Sequence, residues 1–235
     1  MIRAALLALC LAVPATASEV DVELVMLADT TGSIDEYELR FQRQGYAEAI
    51  TDPRVITAIR NTLTGRVAVT YVEFGAADSQ AVIVPWTLIE TEADARAFAA
   101  ALGPPPRLAY GRNGFGAALL KGKELIETSP YRGLRRVIDF SADSTWNRTG
   151  PPIAEARAEV LAAGITINGL AVVCLVCTAS TSPGDLVAEF ERQIIGGPGA
   201  FVIGAETAVQ FTQAVRRKLI LEISGDMPPA RIASR

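Results

Sequence analysis

Short apolar runs alternate with amphipathic segments along most of this chain, and this alternation constrains the fold more than any other feature. The apolar runs are typical of buried strands, and we expect strands at residues 22–28, 66–74, 81–86, 135–140, 165–173 and 200–203. Helices are expected at residues 35–50, 91–102, 115–127, 153–163, 183–195 and 206–221. The pattern predicts a doubly wound, Rossmann-like α/β fold. Its six-stranded sheet is mostly parallel, with one antiparallel edge strand after the turn at residues 75–80 and helices on both faces.

The first 17 residues have the pattern of a secretory signal peptide. Arg3 precedes an apolar segment over residues 4–13, and Ala15-Thr16-Ala17 fits an A-x-A cleavage site. We therefore expect cleavage after Ala17 or Ser18 and export of the remaining chain. The expected organisation is a signal peptide at 1–17, one domain at 18–224 and a flexible C-terminal tail at 225–235.

Composition excludes several classes of function. The chain contains no histidine, so a Ser-His-Asp or Cys-His catalytic system and a His-ligated zinc site are ruled out. With a formal net charge of −4, the chain lacks the basic character of a nucleic-acid-binding protein. After the signal peptide, no apolar run is long enough to predict a membrane span.

Two cysteines remain outside the signal peptide, Cys174 and Cys177. In an exported protein a C-x-x-C pair favours a short-loop disulfide over a metal knuckle, because a four-thiolate site needs a second pair. A redox-active pair normally opens a helix early in its fold, whereas this pair follows a late strand. A disulfide between Cys174 and Cys177 is the favoured interpretation.

Polar side chains follow two of the expected strands. Asp29 ends the first strand and is followed by Thr30-Thr31-Gly32-Ser33, and Asp143 comes just beyond the strand at 135–140. Open α/β sheets bind ligands beyond the carboxyl ends of their strands, where the strand order reverses. If these two strands are neighbours, both carboxylates and the hydroxyls face one crevice, which suits a hard divalent cation such as Mg²⁺. Asp29 and the threonines could instead only cap the next helix, and Asp143 could be an ordinary turn residue.

The segment "DTTGS", from Asp29 to Ser33, resembles the D-x-S-x-S signature of von Willebrand factor type A domains. In that family the signature belongs to the metal-ion-dependent adhesion site (MIDAS). The resemblance extends over residues 20–224. The segments "VAVTYVEF", "SPYRGLRRVIDFSAD" and "IIGGPGAFV" are most similar to an exported bacterial branch of unknown function, which favours the periplasm over full secretion.

The resemblance implies a set of metal ligands. Asp29, Thr31 and Ser33 match the D-x-S-x-S positions, and Asp143 matches the family's second acidic residue. Asn113 stands where the family has a threonine, and Thr31 replaces a serine. The implied cofactor is Mg²⁺, or Mn²⁺ or Ca²⁺ in its place, and the implied partner is a protein whose Asp or Glu completes the coordination.

Three functions are compatible with these residues. The favoured one is an exported, non-enzymatic protein-binding module with a MIDAS-like metal site. A metal-free type A scaffold for protein interaction is the alternative, supported by Asn113. A Mg-dependent phosphatase-like hydrolase is less favoured, because Thr31 stands where such an enzyme needs a second acid.

Overall fold

The computed structural model describes residues 17–103, 106–172 and 183–226, except the side chains at 183–184 and 208–209. Residues 1–16 of the expected signal peptide, residues 227–235 of the expected tail, and both Cys174 and Cys177 lie outside the described residues. Within the described ranges, none of the helices is long and apolar enough to cross a membrane.

Six strands form one sheet in the order β3-β2-β1-β4-β5-β6. The strands are β1 Ser18–Asp29, β2 Val67–Phe74, β3 Gln80–Ile89, β4 Tyr131–Ala142, β5 Thr166–Val172 and β6 Val202–Ala205. Neighbouring strands pair in parallel except β2 with β3, which pair antiparallel at one edge. The sheet predicted from the alternation of strands and helices is confirmed, including its antiparallel edge strand.

Helices cover both faces of the sheet. They are α1 Glu36–Ile50, α2 Pro53–Arg60, α3 Glu92–Ala101, α4 Phe115–Glu127, α5 Ile153–Ala162, α6 Pro183–Gln193 and α7 Ala208–Ser224. Leu24 and Met26 of β1 point to the core under α1, α2, α3 and α7, whereas Val25 and Leu27 point to the core under α4, α5 and α6. Every second residue of β1 thus enters the same core, and a strand buried on both faces reads as a continuous apolar run.

The sequence pattern does not predict α2, and it predicts β1, β3 and β4 shorter than they are. Helix α2 is only eight residues long; Asp52 caps it and Pro53 fills its first turn, so it shows little periodicity. The first residues of β1 and β4 are mostly polar and fall outside the apolar runs. Ser18 nevertheless pairs with Tyr131, and Glu19 with Arg132. Backbone pairing therefore extends both strands beyond their apolar runs.

Buried ion pairs join the sheet to α1 and α7. The Nε and Nη2 atoms of Arg43 donate to the two carboxylate oxygens of Glu73 at 2.6 and 2.8 Å, and both side chains are buried. Lys218 Nζ lies 2.8 Å from Asp139 Oδ1 and also contacts Glu222. The strand residues Glu73 and Asp139 are thus both paired with cationic side chains of the helices.

We expect the stability of the protein to fall between about pH 4.5 and pH 7, in part because of Glu222. Burial raises the pKa of Glu222 from 4.5 to about 7, although Lys218 lowers it and the charge of Asp139 adds to the rise. The folded state then binds this proton more tightly than the unfolded chain, so the contribution is complete below pH 4.5 and is lost as the pH rises through about 7. Tyr46 also faces this cluster.

The Glu222→Gln variant should therefore lose less unfolding free energy than the wild type between pH 5 and pH 8, as measured by urea denaturation. Glu155→Gln, at an exposed position of α5, is the matched control and should follow the wild type. An equal loss in Glu222→Gln and the wild type would contradict the assignment.

Candidate metal centre

Asp29 lies at the carboxyl edge of the sheet, where β1 ends between β2 and β4. Its side chain is buried, and its Oδ1 accepts from the Thr31 backbone N–H at 2.8 Å. Its Oδ2 is also buried and has no hydrogen-bond partner among the described residues. Burial raises the pKa of Asp29 to about 7, and the nearby charge of Asp143 contributes. A buried carboxylate oxygen without a donor is costly, and a proton or a cation would remove that cost.

Two hydroxyls follow Asp29 in the same loop. The Oγ1 atom of Thr31 lies 3.3 Å from the Oγ atom of Ser33; Thr31 is buried and Ser33 is exposed. Thr30 has a different role, because its backbone N–H and its hydroxyl both donate to the Phe74 carbonyl, at 2.9 and 3.1 Å. Thr30 thus anchors the loop to β2, whereas the Thr31 hydroxyl bonds to Asp29 and the Ser33 hydroxyl to Asp143.

Helix α1 has its own cap, which does not involve Asp29. Asp35 accepts from the N–H groups of Tyr37 and Glu38 at 2.7 and 2.8 Å, and the Glu38 side chain accepts from the Asp35 N–H. This is a capping box. The helix-capping role considered for Asp29 and the threonines is therefore wrong.

Asp143 follows β4 directly and is partly buried. Burial raises its pKa, and a hydrogen bond from the Ser33 side chain works in the opposite direction. Its charge in turn raises the pKa of Asp29. Asp143 is thus more than an isolated turn residue, since it shares one crevice with Asp29 and Ser33.

Asn113 lies in the loop before α4 and contacts the loop that follows Asp143. Its side-chain Nδ2 donates to the Ser144 hydroxyl at 3.0 Å. Its backbone carbonyl accepts from the backbone N–H groups of Arg148 and Thr149 at 2.7 and 3.1 Å. The structure therefore brings Asn113 beside Asp143, with its amide nitrogen donating to Ser144.

Arg107 supports this site, and the sequence reasoning did not identify it. Its guanidinium donates to the Thr30 and Ile34 carbonyls at 2.8 and 2.6 Å and to Glu36 Oε1 at 3.0 Å. One nearly buried side chain thus holds the backbone on both sides of the Thr31–Ser33 hydroxyls. No motif in "PPPRLAYG" marks this arginine, because its role depends on the path of an irregular loop.

The loop of residues 109–114 is held at short range against two other loops. The Ala76 N–H donates to the Tyr110 carbonyl at 2.8 Å, and the Gly32 N–H donates to the Gly111 carbonyl at 3.1 Å. A Cβ atom on Gly75 would lie 2.1 Å from the Tyr110 carbonyl oxygen, so this approach requires glycine. The hairpin after β2 thereby fixes the loop that carries Asn113.

The donor set of the crevice consists of oxygen atoms. Across the described ranges, no three His, Cys, Asp or Glu side chains group together as a metal cluster. The crevice instead offers two carboxylates, two hydroxyls and an amide oxygen, the groups that a hard cation such as Mg²⁺ prefers. A water molecule bound to such a cation would donate to the unpartnered Oδ2 of Asp29.

The chain belongs to the family described as "Protein of unknown function (DUF1194)", whose model matches residues 19–227. No curated protein matches the chain by sequence.

Solved structures show the same fold, that of a von Willebrand factor type A domain. The chain is similar to the pilus adhesin SpaC from Lactobacillus rhamnosus GG, with 12% identity, a TM-score of 0.62 and coverage of 88% of this chain and 31% of SpaC. It is similar to proximal thread matrix protein 1 from the mussel byssus, in a form with a zinc-occupied MIDAS motif, with 16% identity, a TM-score of 0.58 and coverage of 88% and 49%. The vWF domain of the type V pili tip protein Mfa5 from Porphyromonas gingivalis matches at 9% identity and a TM-score of 0.55, over 92% of this chain and 99% of that domain. The chain therefore spans about a third of SpaC and half of the mussel protein.

We expect Arg107→Ala to loosen the loop between β1 and α1. The variant loses charge-assisted hydrogen bonds to two carbonyls, which should cost about 1–3 kcal/mol of unfolding free energy. Amide hydrogen exchange of residues 30–36 should also become faster. Arg112→Ala, an exposed position in the same loop as Tyr110, is the control; equal stability and exchange in the two variants would contradict the role of Arg107.

Proposed function

We propose that this chain is a protein-binding module that holds a divalent cation at the carboxyl edge of its sheet. Mg²⁺ is the expected ion, and Mn²⁺ or Ca²⁺ could replace it. An Asp or Glu of a partner protein then completes the coordination. The observation that carries the proposal is the buried, unpartnered Oδ2 of Asp29 in a crevice shared with Asp143.

Each residue of the crevice has a separate proposed role in holding the cation. The Thr31 and Ser33 hydroxyls and the Asp143 carboxylate are the proposed direct ligands, and Asp29 acts through water. Asn113 Oδ1 is the remaining candidate, in the position that a threonine occupies in the resembling family. The bound cation would supply an open coordination position that accepts a carboxylate. No proton transfer is required, which agrees with a binding role and with the absence of histidine.

The structural neighbours support an adhesive rather than an enzymatic role. SpaC is a pilus adhesin and Mfa5 is a pili tip protein, and the mussel protein has a form with a zinc-occupied MIDAS motif. Together with the signal-peptide pattern at residues 1–17, these neighbours support export, and we propose the periplasm as the destination. The proposed disulfide between Cys174 and Cys177 fits that oxidising compartment.

A metal-free scaffold is the second candidate, and one observation favours it. The Asn113 side-chain amide already donates to the Ser144 hydroxyl, and this hydrogen bond restrains the side chain from turning towards a cation. In this case the fold would present its loops to a partner without a cation.

Asp29→Asn should abolish cation binding and stabilise the cation-free protein. The substitution removes a buried charge that has no donor at Oδ2 and faces Asp143, which should increase the unfolding free energy in chelator by about 1–3 kcal/mol. Calorimetric titration of Mg²⁺ and Mn²⁺ into chelator-treated protein should show saturable binding for the wild type and none for the variant.

Asp78→Asn is the matched control for this experiment, because Asp78 is an exposed carboxylate on the hairpin beside the site. It should bind cations as the wild type does. Failure of the wild-type protein to bind either ion, or unchanged binding by Asp29→Asn, would leave the scaffold as the function.

Asn113→Thr should increase Mg²⁺ affinity about tenfold. A threonine places a hydroxyl on a short side chain that no longer binds Ser144 through an amide. Asn113→Ala is the control; it should bind Mg²⁺ no better than the wild type, and more weakly if Oδ1 is a ligand. Unchanged or weaker binding by Asn113→Thr would show that position 113 does not limit the site.

A further inference from the structure

Four exposed side chains lie on the loops beside the crevice. Tyr110 and Trp146 are 57% and 65% exposed, and Arg112 and Arg148 are exposed as well. In the part of the chain that the structure describes, neither arginine forms an ion pair. Aromatic and arginine side chains are enriched at the energetic centres of protein interfaces. We name these four residues the aromatic–arginine rim.

The rim is one continuous surface, because its two loops are bonded to each other. The Arg148 N–H donates to the Asn113 carbonyl at 2.7 Å, and the Thr149 hydroxyl donates to the Arg112 carbonyl at 3.2 Å. The Arg148 guanidinium carbon lies 5.0 Å from the centre of the Trp146 ring, a cation–π distance. The two arginines and Trp146 are therefore held beside the Asn113 end of the crevice.

Tyr110 is held in place by hydrogen bonds within the chain. Its hydroxyl donates to the Arg107 carbonyl, and its backbone N–H donates to the Ser79 hydroxyl at 2.9 Å. A ring that is already ordered loses little conformational entropy on binding. Tyr110 thus presents a preorganised apolar surface next to Arg112.

The net charge of the proposed metal site indicates what Arg112 and Arg148 contribute. The chain carries a formal charge of −4, and a divalent cation held by the two carboxylates of Asp29 and Asp143 has no excess charge. The cation then offers a coordination position but little attraction at longer range for an acidic partner. Arg112 and Arg148 supply local positive charge, against one exposed carboxylate on the adjoining hairpin, Asp78.

We propose that the aromatic–arginine rim selects a partner segment in which a second acidic residue and an apolar residue accompany the acid that reaches the cation. The second acid pairs with Arg112 or Arg148, and the apolar residue packs on Trp146 or Tyr110. This inference rests on the proposed function. Exposed arginine–carboxylate pairs each change an affinity by up to about fivefold, and arginine geometry favours two-point contact with a carboxylate.

Three labelled synthetic peptides test the proposal by fluorescence anisotropy in Mg²⁺ and in chelator. Each has one Asp and one Phe in a Gly/Ser sequence; the second has an added Glu near the Asp, and the third has a Lys at that position. In Mg²⁺ we expect the two-acid peptide to bind about fivefold more tightly than the one-acid peptide, and the Lys peptide to bind most weakly. Added salt should reduce these differences.

Arg112→Gln with Arg148→Gln should remove the preference for the two-acid peptide and leave the one-acid peptide nearly unchanged. The control combines Arg132→Gln and Arg192→Gln, which remove the same charge at exposed positions at the start of β4 and the end of α6, at the opposite edge of the sheet. This control should retain most of the preference. Trp146→Ala should weaken the Phe-containing peptides about tenfold.

The outcomes separate the rim from the metal site. Equal binding of the one-acid and two-acid peptides in Mg²⁺ overturns the rim and leaves the proposed function standing. Preference for the two-acid peptide that persists in chelator and disappears in the arginine variant supports the rim and overturns the role of the cation. Absence of binding by all three peptides in Mg²⁺ overturns both.

Discussion

The parallel pairing of β1 with β4 is the constraint on which the rest of this structure depends. From this central pair the chain winds outward in both directions, towards β3 on one side and β6 on the other. The crossover connections therefore leave a crevice above the carboxyl ends of the two strands. Ala28 pairs with Ser141, and this register sets Asp143 one residue beyond the level of Asp29. A different register would separate the carboxylates, whatever residues surrounded them.

Buried carboxylates in this protein fall into two groups. Glu73 accepts two hydrogen bonds from Arg43, and Asp139 has the Lys218 ammonium 2.8 Å away. These acids are compensated within the chain and fasten helices to the sheet. Among the described residues Asp29 forms no ion pair, although the charge of Arg107 lowers its pKa, and its Oδ2 has no hydrogen-bond partner there. Glu23 is also buried with one unpartnered oxygen, so it is the position of Asp29 beside Asp143, at the carboxyl edge of the sheet, that suits it to a ligand.

The features that the sequence predicted depend on short-range patterns. Apolar runs and helical periodicity located the strands, and the general rule for doubly wound sheets indicated that Asp29 and Asp143 converge. Helix α2 was missed because eight residues carry little periodic signal. Arg107 was missed for another reason: it contacts Thr30, Ile34 and Glu36, all more than seventy positions away. Only the folded path of the loop at residues 106–114 brings that arginine to its acceptors.

The clamp formed by Arg107 also limits how far this motif can be transplanted. The conformation of residues 30–34 is maintained by a donor from a different loop, and Gly32 is bonded to yet another part of that loop through Gly111. Grafting "DTTGS" onto the strand end of another α/β protein would transfer the side chains without the scaffold that orients them. The site depends on three loops together, at residues 30–34, 75–79 and 106–114. Protein engineers would need to move all three.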